Sequence, residues 1–360
     1  MRRLSVISVV GARPQFVKAA PVCRALREAH DELLVHSGQH YDYAMSDVFF
    51  EQLGIPKPDF NLAVGSGSHA RQTGEMMPML EELFIEKNPD LVVVYGDTNT
   101  TLAAGLAAAK LSIPVAHVEA GLRSFNRSMP EEINRVLVDH VSELLLCPTR
   151  VSVANLTAEG ITNGVHLVGD VMLDTAKFFA EHVDPSQALE QYGVKAGEYY
   201  FATVHRAGNS DSKSRLQEII SAFSRLELPV LWAIHPRTSK NLEDFGLGES
   251  VASAENLIVV PPISYIDTVS LLRSAKGILT DSGGMQKEAY FFGVPCVTMR
   301  EETEWTETVE LGWNTLAGAD SDRIVAAVSA MSKPAAKPSV YGDGNAAVQI
   351  VEAIEARFGG

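Results

Sequence analysis

Asp97 and Glu119 are the residues whose type and placement promise chemistry. Asp97 closes the run Leu91-Val92-Val93-Val94-Tyr95-Gly96-Asp97, and Glu119 closes Ile113-Pro114-Val115-Ala116-His117-Val118-Glu119. Each run is short, apolar and β-branched, and each stops abruptly at a carboxylate. Leu102 to Lys110, between them, is rich in Ala and Leu and reads as a helix. A strand–helix–strand unit requires a parallel sheet and a right-handed crossover, so both carboxylates fall just past the carboxyl ends of successive strands. Open α/β sheets place their ligands there. Neighbouring strands lie ~5 Å apart, and two carboxylates that close do not both ionise freely, which suits them to moving protons. Taken singly, Asp97 as a helix N-cap and Glu119 as a partner of Arg123 are competing structural readings. The pair in one cleft favours chemistry.

Other candidates surround this pair. Gly11-Ala12-Arg13-Pro14 leaves a first strand, Leu4 to Val10, and enters a helix with apolar Phe16, Ala19, Val22 and Leu26. Arg13 and Lys18 put two cations at that strand end, although a solvated helix face is the plain alternative for Lys18. The turn carries no GxGxxG and so makes a weak case for a dinucleotide. Pro130-Glu131-Glu132 reads as a helix start, since first-turn carboxylates suit the helix dipole. Glu131 and Arg135, four residues apart, form a surface ion pair by default, but Glu131 follows the Glu119 loop closely enough to join the same cleft. Further on, strands end in His205-Arg206, His235-Pro236-Arg237 and Asp281-Ser282-Gly283-Gly284. Ser282, Gly283 and Gly284 at a strand-to-helix turn aim several backbone N–H groups at one spot, a ready site for a diphosphate. Glu288, one turn on, is placed to accept hydrogen bonds from ribose hydroxyls. His205 or His235 alone could be a satisfied structural histidine, but their repeated strand-end placement favours a ligand role for at least one.

These elements repeat a βα theme along 360 residues, which at roughly 100–200 residues per domain suggests two domains. A composition change near 169–171 marks the linker. The expected architecture is α/β, with two Rossmann-like domains facing a central cleft in the glycosyltransferase-B-like layout. Residues 1–170 and 345–360 form the first domain, its C-terminal helix packing back on it, and 171–344 form the second. Residues 44 to 53 read as a further helix. The net charge of -15 argues against nucleic acid or an anionic membrane as partner, while leaving room for an anionic small molecule. Cys23, Cys147 and Cys296 are scattered in apolar segments without zinc spacing, as expected for free thiols in a reducing compartment. No run reaches the ~18 apolar residues of a membrane span, and the expected location is cytoplasmic.

The motifs Gly11-Ala-Arg-Pro14, Gly96-Asp-Thr98, His117-Val-Glu-Ala-Gly-Leu-Arg123, Pro130-Glu-Glu-Ile-Asn-Arg135, Val168-Gly-Asp170, Leu279-Thr-Asp-Ser-Gly-Gly-Met-Gln286 and Tyr341-Gly-Asp-Gly344 run from end to end. Together they resemble the non-hydrolysing UDP-N-acetylglucosamine 2-epimerase family. The resemblance implies interconversion of UDP-GlcNAc and UDP-ManNAc with no cofactor and no metal. UDP would leave to give a 2-acetamidoglucal and then add back after reprotonation on the opposite face. It also implies Asp97, Glu119 and Glu131 as acid/base carboxylates and His205 as an aid to the departing diphosphate. Arg13 and Lys18 would contact nucleotide and phosphate, Ser282 and Gly283 the diphosphate, and Glu288 the ribose. Gly284, Arg135 and His235 complete the substrate-binding set, and a homodimer is implied.

Departures from the family pattern shape the alternatives. Ala207-Gly208-Asn209 stands where the family carries a Glu after its His-Arg, and Trp305 stands where the best-known members have Arg. Gln39-His40-Tyr41-Asp42 differs from the Gln-His-Arg sequence tied to allosteric activation by UDP-GlcNAc. Together with Thr303-Glu-Trp305 it resembles a sub-branch that includes epimerases of UDP-2,3-diacetamido-glucuronic acid. A glycosyltransferase of the same fold and a UDP-sugar-binding sensor are the remaining readings.

Overall fold

The computed structural model describes residues 2–39 and 57–360, with Arg13 described by its backbone alone. The expected helix at 44–53 lies outside the described residues. Seven strands, β1 (Ser5–Val10), β2 (Asp31–His36), β3 (Phe60–Asn61), β4 (Leu91–Tyr95), β5 (Val115–Val118), β6 (Leu144–Cys147) and β7 (Val165–Leu167), form the first sheet. All are parallel, in the order β3-β2-β1-β4-β5-β6-β7. Every residue of β4, β5 and β6 is buried, the mark of strands covered by helices on both faces. On one face Ile7, Val9, Val92 and Val94 pack against Met76, Leu80 and Phe84 of the helix His69–Lys87 and the alanines of the helix Asn99–Lys110.

The second sheet holds six parallel strands, β8 (Tyr200–Thr203), β9 (Val230–Ala233), β10 (Leu257–Val260), β11 (Gly277–Thr280), β12 (Cys296–Thr298) and β13 (Asn314–Leu316). Their order is β10-β9-β8-β11-β12-β13. Both sheets therefore reverse direction of growth once, between β1 and β4 in the first and between β8 and β11 in the second. Those two switch points are where a doubly wound sheet leaves a crevice for a ligand.

The chain divides into two compact units, residues up to Lys177 with Ser339–Gly360, and Phe178–Pro338. The expected boundaries at 170 and 345 sit a few residues away, for reasons visible in the bonding. Asp174 accepts the N–H groups of Ala346 and Ala347, at 3.1 and 2.8 Å, and the Thr175 hydroxyl donates to the Val17 carbonyl at 2.8 Å. These bonds keep the first turns of the helix Val171–His182 in the first unit. At the other boundary the Tyr290 hydroxyl donates to the Pro338 carbonyl at 2.5 Å and holds that segment in the second. The C-terminal helix, Ala346–Phe358, lies against the helix Arg13–Ala29 within the first unit.

Two of the sequence motifs belong to this junction. Asp170 donates its N–H to the Tyr341 carbonyl at 2.9 Å. Gly169 adopts φ 88°, and a Cβ there would stand 3.0 Å from that carbonyl oxygen. Only glycine allows both the conformation and the approach.

Asp174 gives the junction a pH dependence. Burial pushes its carboxyl up to about 6, against the two helix N–H groups that favour the charged form, and Asp170 and Asp343 add like charge. A carboxyl that binds its proton more tightly folded than unfolded makes stability rise as pH falls through that range. Going from pH 7.5 to 5.5, this group should contribute about 1 kcal/mol of stability. Melting curves of wild type and Asp174→Asn at both pH values check it. The wild-type gain relative to the variant should be positive, and a gain of zero would refute the assignment.

Candidate active site

Lys18 and Glu119 meet beside Gly96 at the end of β4, and Asp97 is the next residue of that chain segment. Asp97 follows β4 and Glu119 follows β5, whose register pairs Tyr95 with Val118. Glu119 is left-handed, with φ 71°, a conformation that costs a non-glycine residue of the order of 1–3 kcal/mol and that clusters at functional sites. Its carboxylate is ion-paired with Lys18, and both are buried. The burial corrects the solvated-face alternative for Lys18. Asp97 is ion-paired with Arg135, whose other arm reaches Glu132 at 3.0 Å. The cost of two carboxylates on adjacent strands is thus met by a separate cation for each. Gly96 between them has φ 61°, and a Cβ there would stand 2.8 Å from the Lys18 ammonium and 3.3 Å from a Glu119 oxygen.

The structural readings of the pair are filled by other residues. Thr98 caps the helix Asn99–Lys110 by accepting from the Thr101 N–H, which leaves Asp97 outside the cap. Arg123 pairs with Asp139 at 2.7 Å and with Glu159 at 2.6 Å. Glu131 is partly buried on the first turn of the helix Pro130–Val141, one residue before Glu132.

Several residues that hold this site escaped the sequence reading. Glu132 accepts the Ser124 and Phe125 N–H groups, both at 2.9 Å, as well as Arg135, and so fastens the loop after Glu119. Asn134 donates to the Asp97 carbonyl at 2.9 Å. Gln15 accepts the Gly11 and Ala12 N–H groups at 2.8 and 3.0 Å and donates to the Tyr95 carbonyl at 2.9 Å. It supplies the cap that Ala12 lacks and ties the helix after β1 to the end of β4.

In the second unit the switch point is organised by Asp281, buried at the end of β11. It accepts the His205 N–H at 3.0 Å, the Arg206 N–H at 3.0 Å and the Asn209 amide at 3.1 Å. His205 is half-exposed, with Nδ1 3.6 Å from Asp281. Ser282 caps the helix Gly283–Phe292, and Gly283 and Gly284 form its first turn. A Cβ on Gly283 would approach the Trp305 indole nitrogen to 3.2 Å, and Lys287 stands over the Trp305 ring at 4.0 Å. Glu288 is buried and accepts from the Tyr265 hydroxyl at 2.8 Å. His235 is exposed, caps the helix Pro236–Asp244 by accepting the Arg237 N–H, and lies 5.8 Å from His205 between ring centroids. The Arg13 side chain lies outside the described residues. Among the described residues no cluster of three His, Cys, Asp or Glu could hold a metal ion, and no helix is long and apolar enough to cross a membrane.

Two doubly wound parallel units, one with cation-paired carboxylates at its switch point and one with a Ser-Gly-Gly helix entry, have the glycosyltransferase-B-like architecture of nucleotide-sugar enzymes. The solved structure of a UDP-GlcNAc 2-epimerase from Methanocaldococcus jannaschii, in complex with UDP-GlcNAc and UDP, superposes with a TM-score of 0.92 at 39% identity, covering 98% of this chain and 100% of that one. The family model for UDP-N-acetylglucosamine 2-epimerase matches residues 24–355. A UDP-N-acetylglucosamine 2-epimerase homolog from Methanococcus maripaludis is 48% identical over 98% of this chain and 99% of its own length. A UDP-2,3-diacetamido-2,3-dideoxy-D-glucuronate 2-epimerase from Pseudomonas aeruginosa is 46% identical over 97% of this chain and 99% of its own. The chain belongs to the UDP-N-acetylglucosamine 2-epimerase family, a family of isomerases.

Proposed function

We propose that this protein epimerises a UDP-N-acetylhexosamine at C2, converting UDP-GlcNAc to UDP-ManNAc. The observation that carries the reading is the pair Asp97 and Glu119 on adjacent parallel strands, each with its own cation, in a chain that belongs to this family. C2–H is a weak acid, so its removal needs a positioned carboxylate and concerted loss of a good leaving group. One carboxylate takes the C2 proton as the C1–O bond breaks, UDP leaves with that electron pair, and C1=C2 forms. UDP then returns through its terminal oxygen to C1 while C2 receives a proton on the opposite face. Asp97, Glu119 and Glu131 are the groups proposed for these transfers. His205 and the Ser282-Gly283-Gly284 turn, with its N–H donors and helix N-terminus, stabilise the diphosphate as charge builds on it. Arg13, Lys18, Arg135, His235 and Glu288 complete the substrate-binding set. Lys18 and Arg135 stand there as the ion-pair partners of Glu119 and Asp97.

Proton and phosphorus NMR of the purified protein with UDP-GlcNAc in deuterated water tests this. UDP-ManNAc should appear carrying deuterium at C2, and an unchanged spectrum would remove UDP-GlcNAc as substrate. The second reading, the same reaction on the diacetamido-glucuronate, has the Pseudomonas relative and the Thr303-Glu-Trp305 sequence in its favour. Deuteration of that substrate alone would select it. Silence with both would favour a transferase or a sensor.

Two further parts of the reading concern the setting. The three cysteines are free and buried, which supports a cytoplasmic enzyme. Ile133 and Leu137 are exposed on the helix Pro130–Val141 of the first unit, and Ile133 lines a groove with Met77 and Leu102. That apolar face supports a homodimer, and light scattering should give twice the mass of one chain. The mass of one chain would rule the dimer out.

A further inference from the structure

His117 is fully buried on β5, two residues before Glu119, and both its ring nitrogens face oxygens. Nε2 lies 2.7 Å from the Gly96 carbonyl, and Nδ1 lies 2.7 Å from Asp139 Oδ1. A peptide carbonyl only accepts, so Nε2 carries a proton. Asp139 is ionised, since the always-charged guanidinium of buried Arg123 lies 2.7 Å from its Oδ2. Its Oδ2 is also occupied, by the Gly121 N–H at 3.1 Å and an Arg123 N–H at 2.7 Å. An ionised carboxylate has no proton to give, so Nδ1 donates as well.

The geometry points to His117 as a doubly hydrogen-bonded imidazolium that positions Asp97, with Asp139 holding the ring and the ring holding the Gly96 carbonyl. The groups that face it agree in charge. Asp139 comes from the helix Pro130–Val141, and Arg123 from the loop after β5. Arg123 in turn binds Glu159, at the end of the helix Arg150–Ala158, through contacts of 2.6 and 2.7 Å. Cys147 of β6 stays a neutral thiol, pushed up to about 12 by burial first and by Asp139 second. Asp97 and Glu119 carry their own cations, Arg135 and Lys18. With His117 charged, two cations balance two anions in this network.

The consequence falls on Asp97. Gly96 is in a left-handed conformation and its carbonyl is fixed by His117, while the Asp97 carbonyl is fixed by Asn134 at 2.9 Å. Both peptide groups around the Asp97 Cα are thereby clamped. A displacement of about 1 Å in such a group costs on the order of 10²-fold in rate. His117 is a positioning residue: with both protons committed to buried acceptors, it exchanges none with substrate. This inference rests on the acid/base role proposed above for Asp97 and concerns how that residue is held.

The test has a readout independent of turnover. Long-range proton–nitrogen NMR of the full chain, labelled with 15N-histidine, should show His117 with both nitrogens protonated at pH 7.5. The signal is assigned by its loss in His117→Gln. A singly protonated pattern at pH 7.5 overturns the charge state. In His117→Gln the kcat for C2 deuteration should fall about 10²-fold, with UDP affinity within twofold of wild type. Retention of kcat within threefold, or parallel loss of kcat and UDP affinity, overturns the positioning role. Should that variant fail to fold, Asp139→Asn serves: it should turn His117 to the neutral pattern and lower kcat in the same sense. Wild type that exchanges no C2 proton sinks the proposed function and the positioning role with it, while the wild-type pattern still decides the charge state.

Discussion

Asp97→Asn should abolish deuteration at C2, lowering kcat about 10³–10⁴-fold, while leaving UDP affinity within twofold and the fold intact. The size follows from what a positioned acid/base carboxylate contributes, roughly 10²–10⁴-fold, with the upper end expected because C2–H is so weak an acid. The amide keeps the shape of the side chain and cannot take a proton. Stability should change little, because the Asp97 side chain is a quarter exposed and Arg135 keeps its contact with Glu132 at 3.0 Å. Affinity for UDP should persist because the Ser282-Gly283-Gly284 turn belongs to the other unit. Isothermal titration with UDP and NMR turnover, on the same preparation, separate these effects. Turnover within tenfold of wild type would remove Asp97 from the proton path. Loss of UDP affinity along with turnover would mean that the carboxylate serves binding. A sensor would have no turnover to lose.

The parallel sheets could be read from the chain because a strand buried on both faces leaves a continuous apolar run, and the turn that ends it leaves Gly, Asp or His. β4, β5 and β11 announce themselves this way. β3 and β13 do not. Phe60–Asn61 and Asn314–Leu316 are too short to show a period, and neighbouring strands alone define them. The candidate site divides along a similar line. Asp97 and Glu119 stand out because carboxylates at strand ends are rarely needed for the fold. Glu132 does not, since a second acid in the first turn of a helix is what the dipole favours anyway. Only the folded loop shows it receiving two backbone N–H groups and Arg135. Lys18 is a similar case: helical spacing predicts which face a lysine is on, but not that a carboxylate 101 residues away will draw it inside. His235, at the end of β9, also caps the helix that follows, a bond that its place in the sequence does not announce.

Lys18→Met is the substitution expected to cost most in stability, and the cost should largely disappear when Glu119→Gln is added. The Lys18 and Glu119 side chains are 10% and 5% exposed, so little solvent compensates either charge once its partner is gone. Removing one member of a buried ion pair typically costs about 3–5 kcal/mol, whereas removing both is often close to neutral. Urea melts of wild type, both single variants and the double variant should give a coupling energy of at least about 2 kcal/mol, with the double variant more stable than Lys18→Met. Additive losses would show that the pair is not the unit that matters, and that Lys18 contributes by packing its stem. Turnover should follow a different rule and stay lost in all three variants, because recovery of the fold returns neither the ammonium nor the carboxylate. The left-handed Glu119 and the glycine forced at Gly96 make sense on the same terms. Both bring an ammonium and a carboxylate to one point, an arrangement that neutral residues would hold more stably. The proposed proton transfer would give the fold a reason to keep these charges together.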